Sequence, residues 1–397
     1  MHDDLPRVVC LGTDIGRGHP NYLDSIYSVL KRDYGKKLRI EYWTVFQKSV
    51  GSTLIAWRFV RFLYIRGGKG GLSTKLYNLF RTHQGGIQTE TIGLRILGRD
   101  LKKLLMDSTT ACVVAHPLVA RMLGSVCRVF YVHGEIAAPR ECAVKGIEKI
   151  FVPLHETRDK LVSAGADTTD IIVTGLLIEP DSVMDAEEQY QLRIKRLQSS
   201  KPLTIGFFTS GAFPQAHMEK IIAGVNSVVK HNMKAIVFCG VNPKMCHWLR
   251  IKIRGRSVVD NRKEESMRED WDVRLVIRRD RKAETRRTAD FLPAIDAFVA
   301  ASHERTNWAV GLGIPFFVLF PLIGTFAPQN FDFANRQGAV YPLKSLQEAS
   351  MLGTLLNGFR RNGRLLRMAQ NGFGVHRIDG AQVTAAHIFQ SISSKVY

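Results

Sequence analysis

Short apolar runs recur along this chain, and most of them lead into a polar or glycine-containing turn followed by a stretch with helical periodicity. This alternation predicts parallel sheets covered by helices on both faces. In the first half the predicted strands are 7–11, 39–45, 111–115, 126–132, 149–152 and 171–174. In the second half they are 203–208, 235–239, 273–277, 297–299 and 316–320.

The pattern restarts once, after a charged segment at 180–201 that is rich in Glu and Gln. A chain of 397 residues is also too long for one ordinary core and suits two domains. We therefore predict an α/β fold with two Rossmann-like, doubly wound domains facing a cleft. The expected domains are 1–180, 181–375 and a final helix in 376–397 that packs back on the first domain. The basic stretch 250–287 is expected to form a helix and an exposed loop.

The net charge is +20 and the pI is about 9.9, which indicates an anionic partner such as a lipid surface, a nucleotide or a nucleic acid. The first residues, MHDDLPR, are acidic where an export signal is basic, and the apolar run that follows is too short for one. We expect a cytoplasmic chain. The six cysteines form no CxxC pair, so reduced core thiols are expected.

An aromatic segment at 43–83 interrupts the α/β pattern and carries Lys48, Arg58, Arg61 and Arg66. On a helix these cations fall on one side. The apolar run is shorter than the roughly 20 residues that span a bilayer. The composition favours an interfacial helix and a protein peripheral to a membrane, with the glycine-rich loop at 67–71 close to lipid phosphates. The alternative is a helix that simply packs on the sheet.

The glycine-rich turn after the first strand ends in Gly16, Gly18 and His19. Parallel sheets bind ligands at the carboxyl ends of their strands, and glycines allow a ligand to approach the backbone. The imidazole of His19 can accept a proton near neutral pH, so a catalytic or substrate-orienting role is predicted. The alternative is a residue at the start of a helix that bonds to the turn.

Polar side chains also follow three later strands. His116 precedes a proline at a strand exit, and His133 with Glu135 can form a base and its orienting carboxylate. Thr209, Ser210 and Gly211 can face a diphosphate at the start of a helix. A structural histidine and an ordinary helix cap explain the same residues.

Several segments resemble, in order and spacing, the monogalactosyldiacylglycerol synthases, which are GT-B glycosyltransferases. More distantly, the chain resembles the transferase that adds N-acetylglucosamine to the lipid-linked peptidoglycan precursor. The resemblance runs from about residue 8 to about residue 345. It rests on Gly18-His19, His116-Pro117-Leu118, 129–133, Phe151-Val152-Pro153, 172–180, 309–315, Asn330 and Gly338.

The resemblance implies a GT-B hexosyltransferase that moves a sugar from a UDP-sugar to a membrane lipid such as diacylglycerol, with inversion and without a metal. It implies no cofactor, because the UDP-sugar is a co-substrate. The base is then His19, His133 or Glu135, and Gly16, Gly18 and His116 lie on the acceptor side. Helix N-termini and basic side chains, rather than a metal, would stabilise the diphosphate.

The donor region departs from the family pattern. The segment 302–307 lacks the family's glycines, Trp308 replaces its ribose-binding acid, and Phe326-Ala327 replaces a Gln-Glu pair. Three explanations stay open, in this order of preference: a different nucleotide sugar, donor contacts from neighbouring side chains, or lost transfer activity. Those neighbours are Glu304, Asn307, Gln329 and Asn330.

Two other classes of protein remain as alternatives. A non-catalytic protein that binds nucleic acid or another anionic surface would use the basic stretch 250–287. That stretch lacks interleaved aromatics and a zinc or helix-turn-helix motif, which disfavours nucleic acid as the partner. A nucleotide-sugar epimerase would share the two-domain architecture and act without an acceptor.

Overall fold

The computed structural model describes residues 5–15, 18–67, 92–106, 110–260 and 271–394. Gly16, the 68–83 part of the aromatic segment and residues 261–270 of the basic stretch lie outside these ranges. The chain divides into two compact units. The first comprises Met1–Pro180, Gly324–Phe326 and Arg377–Tyr397, and the second comprises Asp181–Ile323 and Ala327–His376.

The strands form two parallel sheets. The first contains β1 (Arg7–Gly12), β2 (Arg39–Thr44), β3 (Ala111–Val114), β4 (Arg128–Val132), β5 (Lys149–Val152) and β6 (Ile171–Val173). The second contains β7 (Thr204–Phe208), β8 (Lys234–Phe238), β9 (Ser257–Asp260), β10 (Val273–Val276), β11 (Ala297–Ala300), β12 (Phe316–Leu319) and β13 (Val340–Leu343). The spatial orders are β2-β1-β3-β4-β5-β6 and β13-β12-β11-β7-β8-β10-β9.

Helices connect most of the strands. Those up to the end of the first unit's main segment are α1 (Gly18–Tyr34), α2 (Val45–Lys48), α3 (Gly51–Gly67), α4 (Ile92–Leu105), α5 (Pro117–Leu123), α6 (His155–Ser163) and α7 (Pro180–Val183). Those that follow are α8 (Ala186–Gln198), α9 (Gln215–Lys230), α10 (Pro243–Lys252), α11 (Arg281–Phe291), α12 (Glu304–Gly311), α13 (Phe326–Arg336), α14 (Leu346–Ser350), α15 (Leu352–Arg361), α16 (Arg364–Gln370) and α17 (Gly380–Ser393).

The first sheet is buried on both faces. Successive side chains of a strand point to opposite sides, so each strand contributes apolar side chains to both layers. One face joins a hydrophobic cluster that includes Val9 and Val152 and the helical residues Trp57 and Leu101. The opposite face packs on α1 and α17 through a second cluster. Each fully buried aliphatic side chain contributes about 1.5–3 kcal/mol, so these two layers dominate the stability of the unit.

The C-terminal helix α17 belongs to the first unit. The ring of Phe389 stacks on Tyr34 of α1 with the centroids 4.3 Å apart. Arg128 at the start of β4 donates to the carbonyl oxygen of Ser391 at 2.9 Å and pairs with Glu148 at 3.1 Å. These contacts tie the end of the chain to the first sheet.

In the second unit, α8 is fastened to the sheet by two arginines. Arg196 forms a 2.7 Å ion pair with the buried Asp296. Arg193 is fully buried and donates to the carbonyl oxygens of Ile295 and Leu312 at 3.0 and 2.8 Å. The charged segment after Pro180 is therefore a docked helix of the second unit.

The basic stretch 250–287 differs from the prediction. It contains the end of α10, the predicted strand β10 and most of α11, but also the strand β9, where no strand was predicted. β9 pairs in parallel with β10, with Ser257 opposite Val273. Charged neighbours hide this short strand in the sequence, but the pairing satisfies its backbone groups.

Each sheet reverses its strand order once. In the first sheet, β2 lies on one side of β1 and β3 on the other; in the second, β8 lies on one side of β7 and β11 on the other. At such a reversal the connections leave toward opposite faces, which opens a crevice beyond the carboxyl ends of the two central strands. We call the carboxyl ends of β1 and β3 the first switch point and those of β7 and β11 the second switch point.

Candidate functional site

The first switch point brings two predicted histidines together. His19 is the second residue of α1, and His116 immediately precedes α5. Their strands are neighbours, with Cys10 opposite Val113. The two imidazole centroids are 5.0 Å apart in an edge-to-face arrangement. Two residues that are far apart in the sequence therefore form one pair at the carboxyl ends of β1 and β3.

Local structure fixes the orientation of His116. It is the N-cap of α5, and its Nδ1 accepts a hydrogen bond from the backbone N–H of Leu118 at 3.2 Å. Pro117 occupies the first helical position, where a missing N–H costs nothing. His116 therefore serves as a helix cap and also presents its ring to His19.

Phe326 completes the apolar side of the histidine pair. This residue belongs to the first unit, and its ring lies edge-on to His19 at 5.7 Å. The histidine pair is thus covered by an aromatic ring that excludes water from one side.

His133 is held by its neighbours rather than presented to a ligand. Its Nε2 lies 2.8 Å from the carbonyl oxygen of Ala137, which can only accept, so Nε2 carries the proton. Its Nδ1 then accepts from the Tyr131 hydroxyl at 3.0 Å. Burial lowers the pKa of His133 to about 4. This geometry favours a neutral structural histidine and argues against the predicted role as base.

Glu135 is buried beside the same turn. Gly134 precedes it, and a Cβ atom at that position would lie 2.4 Å from the ring of Tyr22. Only glycine lets the backbone approach α1 so closely. Tyr22 follows His19 by three residues, so Glu135 and His19 both lie near the first turns of α1.

Two buried oxygens near His19 have no hydrogen-bond partner among the described residues. They are Oγ1 of Thr13 and Oδ1 of Asn21. Asp14 has a φ of 48°, a left-handed conformation that side chains seldom adopt. Gly16 lies outside the described residues, and Gly18 begins α1. Neither Thr13 nor Asn21 was predicted, although both flank the glycine turn.

At the second switch point, the turn after β7 is longer than predicted. α9 begins at Gln215, so Thr209, Ser210 and Gly211 do not start a helix. The backbone N–H and the hydroxyl of Thr209 both donate to the carbonyl oxygen of Phe238, at 3.2 and 2.9 Å. Thr209 therefore anchors the turn, and its hydroxyl hydrogen is already used.

The hydroxyl of Ser210 differs from that of Thr209. Its Oγ is buried and has no hydrogen-bond partner among the described residues. Gly211 is exposed at the surface of the turn. Of the three predicted residues, Ser210 has a hydroxyl that can still form a hydrogen bond, and Gly211 has backbone that a ligand can reach.

The turn after β11 is internally bonded. The Ser302 hydroxyl lies 3.2 Å from that of Thr306, and Asn330 donates from its amide nitrogen to the Ser302 carbonyl oxygen at 3.3 Å. Asn307 and Asn330 are fully buried, whereas Glu304 and Gln329 are partly exposed. Of these four residues, which were predicted to contact the donor, Glu304 and Gln329 are the accessible ones.

Trp308 is a core residue and is too deeply buried to stack on a nucleotide base. It is buried, and the guanidinium carbon of Arg305 lies 3.9 Å from its ring centroid. The same carbon lies 4.7 Å from the ring of Phe208 at the end of β7. Arg305 was not predicted. Its position in the first turn of the helix that follows a central strand is the signal that could have identified it.

α9 ties the end of β12 to the second switch point. His217 in its first turn donates from Nε2 to the carbonyl oxygen of Pro321 at 2.8 Å, and Lys220 donates to that of Phe320. Burial lowers the pKa of His217 to about 4, so its ring is neutral. These bonds hold the carboxyl end of β12 close to the start of α9, beside the ends of β11 and β7, the next two strands of the sheet.

An open groove also lies elsewhere in the second unit, and the described residues contain no group of three His, Cys, Asp or Glu side chains that could hold a metal. The groove has a volume of about 800 Å³ and is lined by residues such as Ser199, His231 and Arg361. His231 caps the carboxyl end of α9, roughly 24 Å along that helix from the turn after β7. None of the predicted site residues lines this groove.

The sequence matches no protein-family model and no curated protein. Solved structures with a similar fold span nearly the whole chain. One is a putative UDP-N-acetylglucosamine 2-epimerase from Listeria monocytogenes, with a TM-score of 0.59 and 13% identity over 99% of this chain and 97% of that one. Another is the UDP-GlcNAc 2-epimerase from Neisseria meningitidis bound to UDP-GlcNAc, with a TM-score of 0.56 and 11% identity over 98% and 99% of the two chains.

A third is UGT89C1 from Arabidopsis thaliana complexed with UDP-L-rhamnose, with a TM-score of 0.53 and 10% identity over 98% of this chain and 99% of that one. At these identities the likeness shows the fold. The chain has the GT-B fold, which consists of two Rossmann-like domains, and the fold class predicted from the sequence is confirmed.

Proposed function

We propose that this chain is a UDP-sugar-dependent glycosyltransferase that transfers a hexose to a membrane lipid such as diacylglycerol, with inversion. The observation that carries the proposal is the pair of histidines, His19 and His116, at the first switch point of a GT-B fold. The resemblance to monogalactosyldiacylglycerol synthases includes both residues. Solved proteins of this fold carry UDP-sugars, which supports the donor class.

In this proposal His19 is the base. Its imidazole takes the proton of the acceptor hydroxyl as the oxygen attacks the anomeric carbon, and the bond from that carbon to the UDP oxygen breaks. The bond forms on the face opposite the leaving group, which inverts the configuration. His116 packs against His19 and holds its ring in place, and Glu135 remains the other candidate for the base.

The second unit is proposed to bind the UDP-sugar without a cofactor. The turns after β7 and β11 lead to the starts of α9 and α12, neither of which has a side-chain cap. Uncapped N–H groups favour negative charge by about 0.3–1 kcal/mol. Glu304, Gln329, Ser210 and Gly211 are proposed to contact the donor, with the buried Asn307 and Asn330 shaping the turn.

A lipid acceptor is supported by an apolar strip on α3. Ile55, Phe59 and Phe62 are 67%, 59% and 49% exposed and recur at helical spacing with Leu63. The opposite face of α3 is buried, and the indole N–H of Trp57 donates to the carbonyl oxygen of Leu97 at 3.1 Å. The helix thus has a core face and a separate solvent-facing apolar face.

Cations border this strip. Arg58, Arg61 and Arg66 are exposed on α3, which contains no carboxylate. Lys48 lies on the separate helix α2, so the expectation of four cations on one helix is wrong. An apolar strip with a cationic border fits the surface of an anionic membrane. No described helix is long and apolar enough to cross a bilayer.

The test is a transfer assay with a panel of UDP-sugars, with and without liposomes that contain diacylglycerol, followed by mass spectrometry of the lipids. A new glycolipid that requires liposomes is expected. Absence of both a glycolipid and UDP release would contradict the proposal. Cosedimentation with anionic liposomes and with duplex DNA at equal salt tests the binding-protein alternative, which expects a preference for DNA.

A second candidate is a UDP-sugar epimerase, favoured by the fold similarity to two proteins described as 2-epimerases. An epimerase needs no acceptor. Incubation with UDP-N-acetylglucosamine in lipid-free buffer, followed by NMR of the nucleotide, separates the two candidates. A second sugar nucleotide would support the epimerase, and an unchanged substrate would support the transferase.

A further inference from the structure

Arg305 at the second switch point is a buried cation that has no ionic partner among the described residues. The residue is 6% exposed, and its Nη1 atom has no hydrogen-bond partner among the described residues. No described carboxylate forms an ion pair with it. Its guanidinium is covered by the rings of Trp308 and Phe208, at 3.9 and 4.7 Å.

A buried charge of this kind is costly unless something compensates it. Aromatic faces attract a guanidinium only weakly compared with a carboxylate or phosphate that accepts its hydrogen bonds. A planar guanidinium with an unused N–H is well suited to an oxyanion with paired oxygens. The missing partner is therefore expected to be a ligand with negatively charged oxygens.

The surroundings of Arg305 point to the same ligand class. The residue lies in the first turn of α12, whose N-cap His303 makes no side-chain cap bond. Phe208, on which it stacks, ends β7 two residues before Ser210, whose buried Oγ also has no partner among the described residues. An unused guanidinium N–H, an unused hydroxyl and an uncapped helix start occur at neighbouring strand ends.

We propose that Arg305 binds the diphosphate group of the nucleotide donor and supplies the charge compensation that a glycine-rich turn does not provide in this chain. This inference rests on the proposed function for the identity of the nucleotide. The anion site itself does not depend on sugar transfer. Stacking on Trp308 and Phe208 holds the guanidinium in place before the ligand arrives, which reduces the entropy lost on binding.

The experiment is calorimetric titration of the wild-type protein and of Arg305→Met with UDP, uridine and inorganic pyrophosphate. Wild type is expected to bind UDP and pyrophosphate more tightly than uridine. Arg305→Met is expected to weaken UDP and pyrophosphate roughly 10- to 100-fold and to leave uridine unchanged, because a charge-assisted hydrogen bond is lost. Arg305→Lys keeps the charge without the planar fork and is expected to fall between the two.

Arg274→Met is the matched control. Arg274 is also buried in the second unit and lies over two rings, Trp271 at 5.0 Å and Phe291 at 5.5 Å. It lies within β10, away from the second switch point. Arg274→Met is expected to bind UDP as wild type does, so any general effect of removing a buried stacked arginine is measured separately.

The outcomes separate this inference from the proposed function. Equal affinities of wild type, Arg305→Met and Arg305→Lys for UDP would overturn the inference even if glycolipid is formed. Failure of wild type to bind pyrophosphate or to distinguish UDP from uridine would also overturn it, without any variant. An Arg305-dependent affinity for UDP without sugar transfer would support the inference and contradict the proposed function.

Discussion

The two switch points have the same topology and different chemistry. The first presents two imidazole rings, His19 and His116, in edge contact beneath an aromatic ring. The second presents a buried guanidinium, that of Arg305, and two helix starts without side-chain caps. Side chains that are able to exchange protons are at one point, and groups that favour negative charge are at the other.

The comparison indicates that the sheet topology determines where a site lies, whereas the residues of the turns determine which chemistry the site can perform. Among the described residues, each unit also contains one buried histidine that is used for structure, His133 in the first and His217 in the second. Both donate to a backbone carbonyl oxygen at 2.8 Å. A histidine near a strand end is therefore functional or structural according to its hydrogen bonds.

The largest expected effect is on the rate of transfer. His19→Ala is expected to lower kcat about 10²- to 10⁴-fold, because general-base assistance is lost, and to leave the affinity for UDP unchanged. His155→Ala is the control, since His155 is an exposed histidine at the start of α6 in the same unit. A wild-type rate in His19→Ala, or an equal loss of rate in both variants, would contradict the assignment of proton transfer to the first switch point.

The next effect is the acid sensitivity of stability. The pKa values of His133 and His217 are lowered by burial to about 4, below the ordinary 6.5. The unfolded chain therefore takes up protons first as the pH falls from about 6.5 to about 4. Each histidine then removes on the order of 3 kcal/mol from the free energy of unfolding of its unit.

Urea unfolding between pH 7 and pH 4.5 measures this loss. His133→Gln and His217→Gln are each expected to reduce the pH slope by about 1.4 kcal/mol per pH unit, because a group that does not titrate binds no additional proton on unfolding. An unchanged slope in both variants would show that these histidines are not held neutral in the folded protein.

A smaller effect is expected from two glycines. Gly134→Ala places a Cβ atom 2.4 Å from the Tyr22 ring and is expected to cost about 1–3 kcal/mol. Gly358→Ala in α15 meets no atom within 4 Å and is expected to stabilise the second unit by about 0.5–1 kcal/mol. Thermal unfolding measures both, and a neutral Gly134→Ala would refute the close packing of this turn on α1.

The smallest expected effect is on the affinity of the protein for anionic membranes. Phe59→Ser is expected to weaken binding to anionic liposomes roughly tenfold, because one half-exposed ring no longer enters the lipid. Ile251→Ser is the control, because Ile251 is 66% exposed on α10 of the second unit. Cosedimentation measures both, and equal losses would mean that α3 is not the attachment surface.

Most of the fold could be predicted because the buried strands are continuous apolar runs between turn signals. The two strands that were missed, β9 and β13, are the edges of the second sheet. β13 contains Pro342, which a strand accepts only at an edge, and β9 is surrounded by charged residues.

The candidate site was predictable in part. Strand-end position identified His19 and His116, but their contact depends on the placement of β3 beside β1. The period of two residues that puts Tyr131 beside His133 was a usable signal for a structural histidine. The burial of Arg305 was not predictable, because an arginine at the start of a helix is normally solvated and its cover comes from Phe208, far away in the sequence.

The most direct test of the division between the two switch points is hydrogen–deuterium exchange of the wild-type protein with and without saturating UDP. The account predicts slower exchange in peptides that cover 209–217 and 302–308, with no change in the peptide that covers 10–22. Protection confined to 10–22, or none in either peptide of the second unit, would contradict it.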